Sequence, residues 1–92
     1  MNATTLLQSE DMYVLFDGCP TCHPQTAGYL NECLSISRRM RRKLHIVPSG
    51  SQIAALMRLI AKNKGQHIEY PMILMDGIIR YDPQDIHERT EK

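Results

Sequence analysis

Met12 to Phe16 is an unbroken apolar run of five residues, closed by Asp17-Gly18. A strand with one wet face alternates apolar and polar residues, and a core helix needs a longer run. The segment therefore predicts a strand buried on both faces, as in a parallel sheet. Such a strand needs a layer packed on each side, which points to an α/β architecture. The chain has 92 residues, 42% of them hydrophobic and 23% charged, enough for one compact core and outside the composition of disordered chains.

The rest of the sequence supplies the layers. From about Thr21 to Met40, Tyr29, Cys33, Ile36 and Met40 form one stripe, with Leu30 and Leu34 beside it, so a helix with a wide apolar face is predicted. Pro20 and Pro24 fall at its beginning, where no internal N–H partner is needed, and Gly28 weakens it by ~1 kcal/mol relative to Ala. Leu44–Val47 is a second strand, ended by Pro48-Ser49-Gly50. Ile53, Leu56, Met57 and Ile60 repeat with helical spacing, with Ser49 or Ser51 as N-cap and Gly65 as stop. Met72–Met75 and Ile78–Tyr81 flank Asp76-Gly77, whose composition favours the type I′ turn of a hairpin. Asp82-Pro83 opens a short last helix through about Arg89.

The expected order is β-α-β-α-β-β-α. The first two strands are parallel and the last two antiparallel, giving a four-stranded mixed sheet with flanking helices. Residues 1–11 are mostly polar and are expected to form a loose leader, leaving 12–92 as the domain. No window approaches the ~20 apolar residues of a membrane span, and no basic start with an apolar stretch marks a secretory signal. A soluble, cytoplasmic monomer is expected.

Two of the three cysteines, Cys19 and Cys22, are separated only by Pro20-Thr21. A bridge across so short a loop restricts the unfolded chain by roughly 2 kcal/mol, a poor staple, so the pair is read as chemistry. A thiol exchanges as thiolate, and the N-terminus of a helix favours that anion through its unpaired N–H groups and dipole. Cys19, at the predicted strand-to-helix junction, is the expected nucleophile. Cys22, one turn on, is placed to resolve the mixed disulfide, and Pro20 stiffens the turn. Asp17 opposes the activation, which should be moderate. Cys33 lies on the apolar stripe and reads as a small core hydrophobe.

Other readings stay open. Cys19-Pro-Thr-Cys22-His23 also fits covalent haem attachment, with Met40, Met57, Met72 and Met75 as axial candidates. A zinc site could draw on Cys19, Cys22, His23 and His45, although a second Cys or His pair at finger-like spacing is missing. His23 otherwise reads as a helix-surface residue that could tune Cys19 from four positions away.

Across roughly residues 12–89, the order and spacing resemble the glutaredoxins of the thioredoxin superfamily. Strand Met12–Phe16 followed by Cys19-Pro-Thr-Cys22 is similar to that family's strand and Cys-Pro-x-Cys redox turn. Tyr70-Pro71 before Met72–Gly77 is similar to its cis-proline, third strand and turn. The resemblance implies a thioredoxin-like fold and a thiol-disulfide oxidoreductase. It implies that Pro71 is cis, that the Tyr70 main chain pairs with bound peptide or glutathione, and that Pro20, Thr21 and Asp82 complete the substrate contacts. Disulfide-bearing proteins are the implied clients. Glutathione or a reductase is the implied electron donor, and no cofactor is held tightly. The chain departs from the family in carrying Phe16-Asp17-Gly18 where a basic residue is usual, and Ile79-Arg80-Tyr81-Asp82 in place of a Gly-Gly pair.

Net charge is +1, yet Arg38, Arg39, Arg41, Arg42 and Lys43 contribute five positive charges, which leaves −4 on the rest of the chain. Cations there complement the C-terminal dipole of the preceding helix at ~0.3–1 kcal/mol each. The alternative is a docking patch for an acidic partner on a binding module without redox turnover. Nucleic-acid binding is not expected, given one Phe, no Trp and an acidic remainder.

Overall fold

The computed structural model describes residues 2–18 and 24–86. Its elements run α1 (Ala3–Gln8), β1 (Met12–Leu15), α2 (Pro24–Met40), β2 (Leu44–Val47), α3 (Gln52–Asn63), β3 (Met72–Met75), β4 (Ile78–Arg80) and a 3₁₀ turn (Pro83–Asp85). The strands form one mixed sheet in the order β2-β1-β3-β4. β1 pairs parallel with β2 and antiparallel with β3, and β3 pairs antiparallel with β4.

The apolar run does what its composition requires. Met12, Val14 and Phe16 pack on one face with Ile73 and Met75 of β3, against Cys33 and Ile36 of α2 and Ile86. Tyr13 and Leu15 alternate to the other face with Met72, Leu74 and Ile79, against Ala54, Met57, Ile60 and Ala61 of α3 and Leu6 of α1. Two apolar cores thus share the central strands β1 and β3, both buried along their whole length.

Local signals set most boundaries. The Ser51 hydroxyl accepts from the Ala54 N–H at 3.1 Å and starts α3. The helix ends in a Schellman motif: Gly65 has φ +72°, its N–H donates to Lys62 O, and the Gln66 N–H donates to Ala61 O at 2.9 Å. α2 stops the same way, with Arg41 in the left-handed position at φ 57° and the Arg42 N–H donating to Ser37 O at 2.8 Å. Asp76 and Gly77 have φ 55° and 75°, the positive pair a type I′ turn needs.

Two expectations are corrected. The loose leader over 1–11 contains helix α1, capped by the Asn2 side chain, which accepts from Thr5 N at 2.9 Å. Its Leu6 is 1% exposed in the α3-side core, and burial of that side chain holds a helix too short to persist by propensity. The last helix through Arg89 is, over the described residues, a single 3₁₀ turn. Ile86 is extended (φ −84°, ψ 110°) and buried, so packing draws the chain out of helical geometry after Asp85. Residues 87–92, and the expected start of the first long helix before Pro24, lie outside the described residues.

Candidate functional site

The register sets three connections at one end of the sheet. Leu15, the last residue of β1, pairs with Val47, the last of β2, and with Met72, the first of β3. The chain leaving β1 through Phe16-Asp17-Gly18, the turn at Pro48-Ser49-Gly50 and the Tyr70-Pro71 segment therefore converge there. Gly18, exposed with φ +111°, adopts a conformation that L side chains rarely reach. Cys19, Pro20, Thr21, Cys22 and His23 follow it and lie outside the described residues. Tyr70 and Pro71 are half-buried, and their peptide bond is cis, as expected.

Tyr70 carries a tether with no counterpart among the sequence motifs. Its hydroxyl accepts from Arg58 Nε at 2.7 Å, and the Arg58 guanidinium carbon lies 5.7 Å from the Tyr70 ring centroid. Arg58 Nη2 also donates to Ser49 O at 2.7 Å. One side chain on α3 thus ties the β2–α3 turn to the entry of β3. Arg58 and Tyr70 follow no shared periodicity, so only the fold reveals the pair.

Asp82 caps the 3₁₀ turn, accepting the Gln84 N–H on Oδ1 at 2.9 Å, and remains exposed. Beside it, the Tyr29 hydroxyl donates to Tyr81 O at 2.9 Å, joining α2 to the segment after β4, and the Tyr29 ring meets Phe16 edge-on at 5.7 Å. Burial holds the Tyr29 phenol far above its usual range, with Cys33, Asp82, Glu32 and Asp85 adding to the effect. Burial, then Glu32 and Asp82, push the Cys33 thiol up to about 12. Cys33 is 0% exposed, so it is a protonated core side chain at neutral pH, as its place on the stripe predicts.

The described residues named for metal or haem do not converge. His45 Nε2 is 2.7 Å from Asp11 Oδ2, and its ring stacks on Tyr13 at 4.7 Å. Met57 and Met72 belong to the α3-side core, whereas Met40 and Met75 pack in the α2-side core, across the sheet. Of the basic cluster, Arg38, Arg39, Arg41 and Lys43 are exposed. Arg42 grips Asp76 with both terminal nitrogens, at 2.7 and 3.2 Å, and donates to Glu10 O at 2.8 Å, fastening the end of α2 to the β3–β4 turn. Among the described residues, no helix is long and apolar enough to cross a membrane. No protein-family model, curated protein or solved structure matches the chain.

Proposed function

We propose that this chain is a cytoplasmic dithiol oxidoreductase with a glutaredoxin-type, thioredoxin-like fold, which reduces protein disulfides or mixed disulfides with glutathione. The observation that carries the reading is the sheet register: the start of β3, with Tyr70-Pro71, lies beside the end of β1, from which the chain runs into Cys19-Pro-Thr-Cys22 and then α2. A backbone segment just outside the paired part of β3, able to pair with a peptide, and a dithiol motif in the sequence that follows β1 are the two parts that exchange on a protein disulfide needs.

In the proposed reaction the Cys19 thiolate attacks one sulfur of the client disulfide. A Cys19–client mixed disulfide forms and the other client sulfur leaves as thiolate. The Cys22 thiolate then attacks Cys19 Sγ, closing Cys19–Cys22 and releasing the second client thiolate, so two electrons pass from enzyme to client. Two molecules of glutathione, or a dithiol reductase, return the pair to the reduced state. Tyr70 offers its main chain to the client, Pro20 and Thr21 take part in binding it, and Asp82 contacts the glutathione moiety.

The reading is tested by turnover on a disulfide-bonded peptide with glutathione as reductant. Wild type turns over, Cys19→Ser is inactive, and reduced Cys22→Ser mixed with the client in the absence of glutathione accumulates a mixed disulfide visible as an added client mass. Absence of turnover on both a protein disulfide and a glutathione mixed disulfide defeats it. The exposed cations Arg38, Arg39, Arg41 and Lys43 favour a second reading, a binding module for an acidic partner. In that case Cys19→Ser keeps its partner.

A further inference from the structure

We infer that Arg58 is a positioning residue for peptide substrates, acting through Tyr70; the inference rests on the proposed disulfide exchange. Arg58 is half-buried on α3, and its two hydrogen bonds run in different directions, Nε to the Tyr70 hydroxyl and Nη2 to Ser49 O, both at 2.7 Å. Tyr70 is the residue whose main chain would pair with a client, and it stands just before β3, at the end of the segment 66–71.

That segment has no regular secondary structure between α3 and β3. It is anchored on the approach to the sheet by the Gln66 amide, donating to Ile79 O at 3.2 Å, and by the Tyr81 hydroxyl, donating to His67 O at 2.7 Å. Both anchors fall at its first two residues. The Arg58–Tyr70 bond fixes the other end, where a client backbone would dock. Because Arg58 is also bonded to the β2–α3 turn, Tyr70 is referenced to the same sheet end from which β1 runs toward the cysteines. A docking edge held in its binding conformation loses less freedom on association, so a peptide binds more tightly than it would to an untethered segment.

A disulfide without a peptide backbone makes no use of that edge, and this separates positioning from general stability. The test compares the single-turnover oxidation of reduced wild type, Arg58→Gln, Arg58→Lys and Tyr70→Phe by a glutathionylated peptide and by dithiobis(nitrobenzoate), which has no peptide bond. Arg58→Gln raises the half-saturating peptide concentration roughly tenfold, about 1.4 kcal/mol of binding, with the saturating rate and the rate on dithiobis(nitrobenzoate) changed less than about twofold, and Tyr70→Phe weakens peptide saturation likewise. Arg58→Lys recovers part of the loss. Circular dichroism melts verify that each variant is folded at the assay temperature. An equal loss on both substrates, or no loss on the peptide by the folded Tyr70→Phe variant, overturns the positioning role while leaving the oxidoreductase reading intact. Wild type inert toward both substrates overturns the two together.

Discussion

Replacing Leu6 by Ala tests whether α1 is part of the folded unit. Leu6 is the fully buried residue of that helix, 1% exposed among α3 and the β1–β3–β4 face, with Ala3 and Leu7 packed around it. Truncation removes the transfer energy of the lost carbons and leaves a cavity, a combination that costs about 2–5 kcal/mol at buried leucines. α1 has six residues and sits at the edge of the core, so it can relax toward the void or detach. The expected loss is therefore at the low end, about 2–3 kcal/mol. For a domain of this size that lowers Tm by roughly 10–15 °C. Urea unfolding followed by circular dichroism reads the change as a lower midpoint with little change in slope. A loss below about 0.5 kcal/mol, the range of an ordinary surface substitution, would show instead that the domain closes without α1.

The helix termini and the buried thiol give three further expected outcomes. Gly28 lies exposed within α2, with nothing within 4 Å of where an alanine Cβ would sit, so Gly28→Ala stabilises by about 0.5–1 kcal/mol in the same urea assay. Arg41 holds a left-handed conformation that Gly adopts freely, so Arg41→Gly is also stabilising, by about 1 kcal/mol, and a loss of stability would show that its side chain does more than end the helix. The Cys33 thiol is pushed up to about 12, so below about pH 9 alkylation of the reduced native protein is expected to count two thiols, and a third only after denaturation. At higher pH the unfolded chain loses the Cys33 proton while the folded chain keeps it. Stability then falls as pH rises from the ordinary thiol range toward 12, and a Cys33→Ala variant shows a shallower fall.

Much of the architecture is legible in the sequence because it rests on local rules. β1 and β3 are buried on both faces, and an unbroken apolar run is what such burial requires. Ser51, Gly65 and Asp76-Gly77 start, end or turn their elements by their own chemistry. α1 is hidden because Ala3–Gln8 offers only Leu6, Leu7 and the small Ala3 to the core, and its stability comes from a tertiary pocket rather than from periodicity. The last helix is overread for the converse reason. Asp82-Pro83 start a helical turn correctly, but Ile86 is taken into the α2-side core and ends it after one turn.

The site divides along the same line. The dithiol motif and Tyr70-Pro71 are local patterns that a sequence can display, and the stripe assigns Cys33 to the core. The Arg58–Tyr70–Ser49 tether and the grip of Arg42 on Asp76 join residues from different elements, and no spacing rule connects them. Arg42 also changes the meaning of the basic cluster, since within that cluster it serves the fold by holding the β3–β4 turn.

The proposed thiolate activation of Cys19 is read from the pH dependence of its alkylation in a Cys22→Ser background, where the third thiol, Cys33, is buried and does not contribute. A single ionisation is expected, with its midpoint below the ~8.5 of a free cysteine, as an anion held by helix N–H groups requires. A midpoint at or above the free-thiol value would contradict the proposed chemistry.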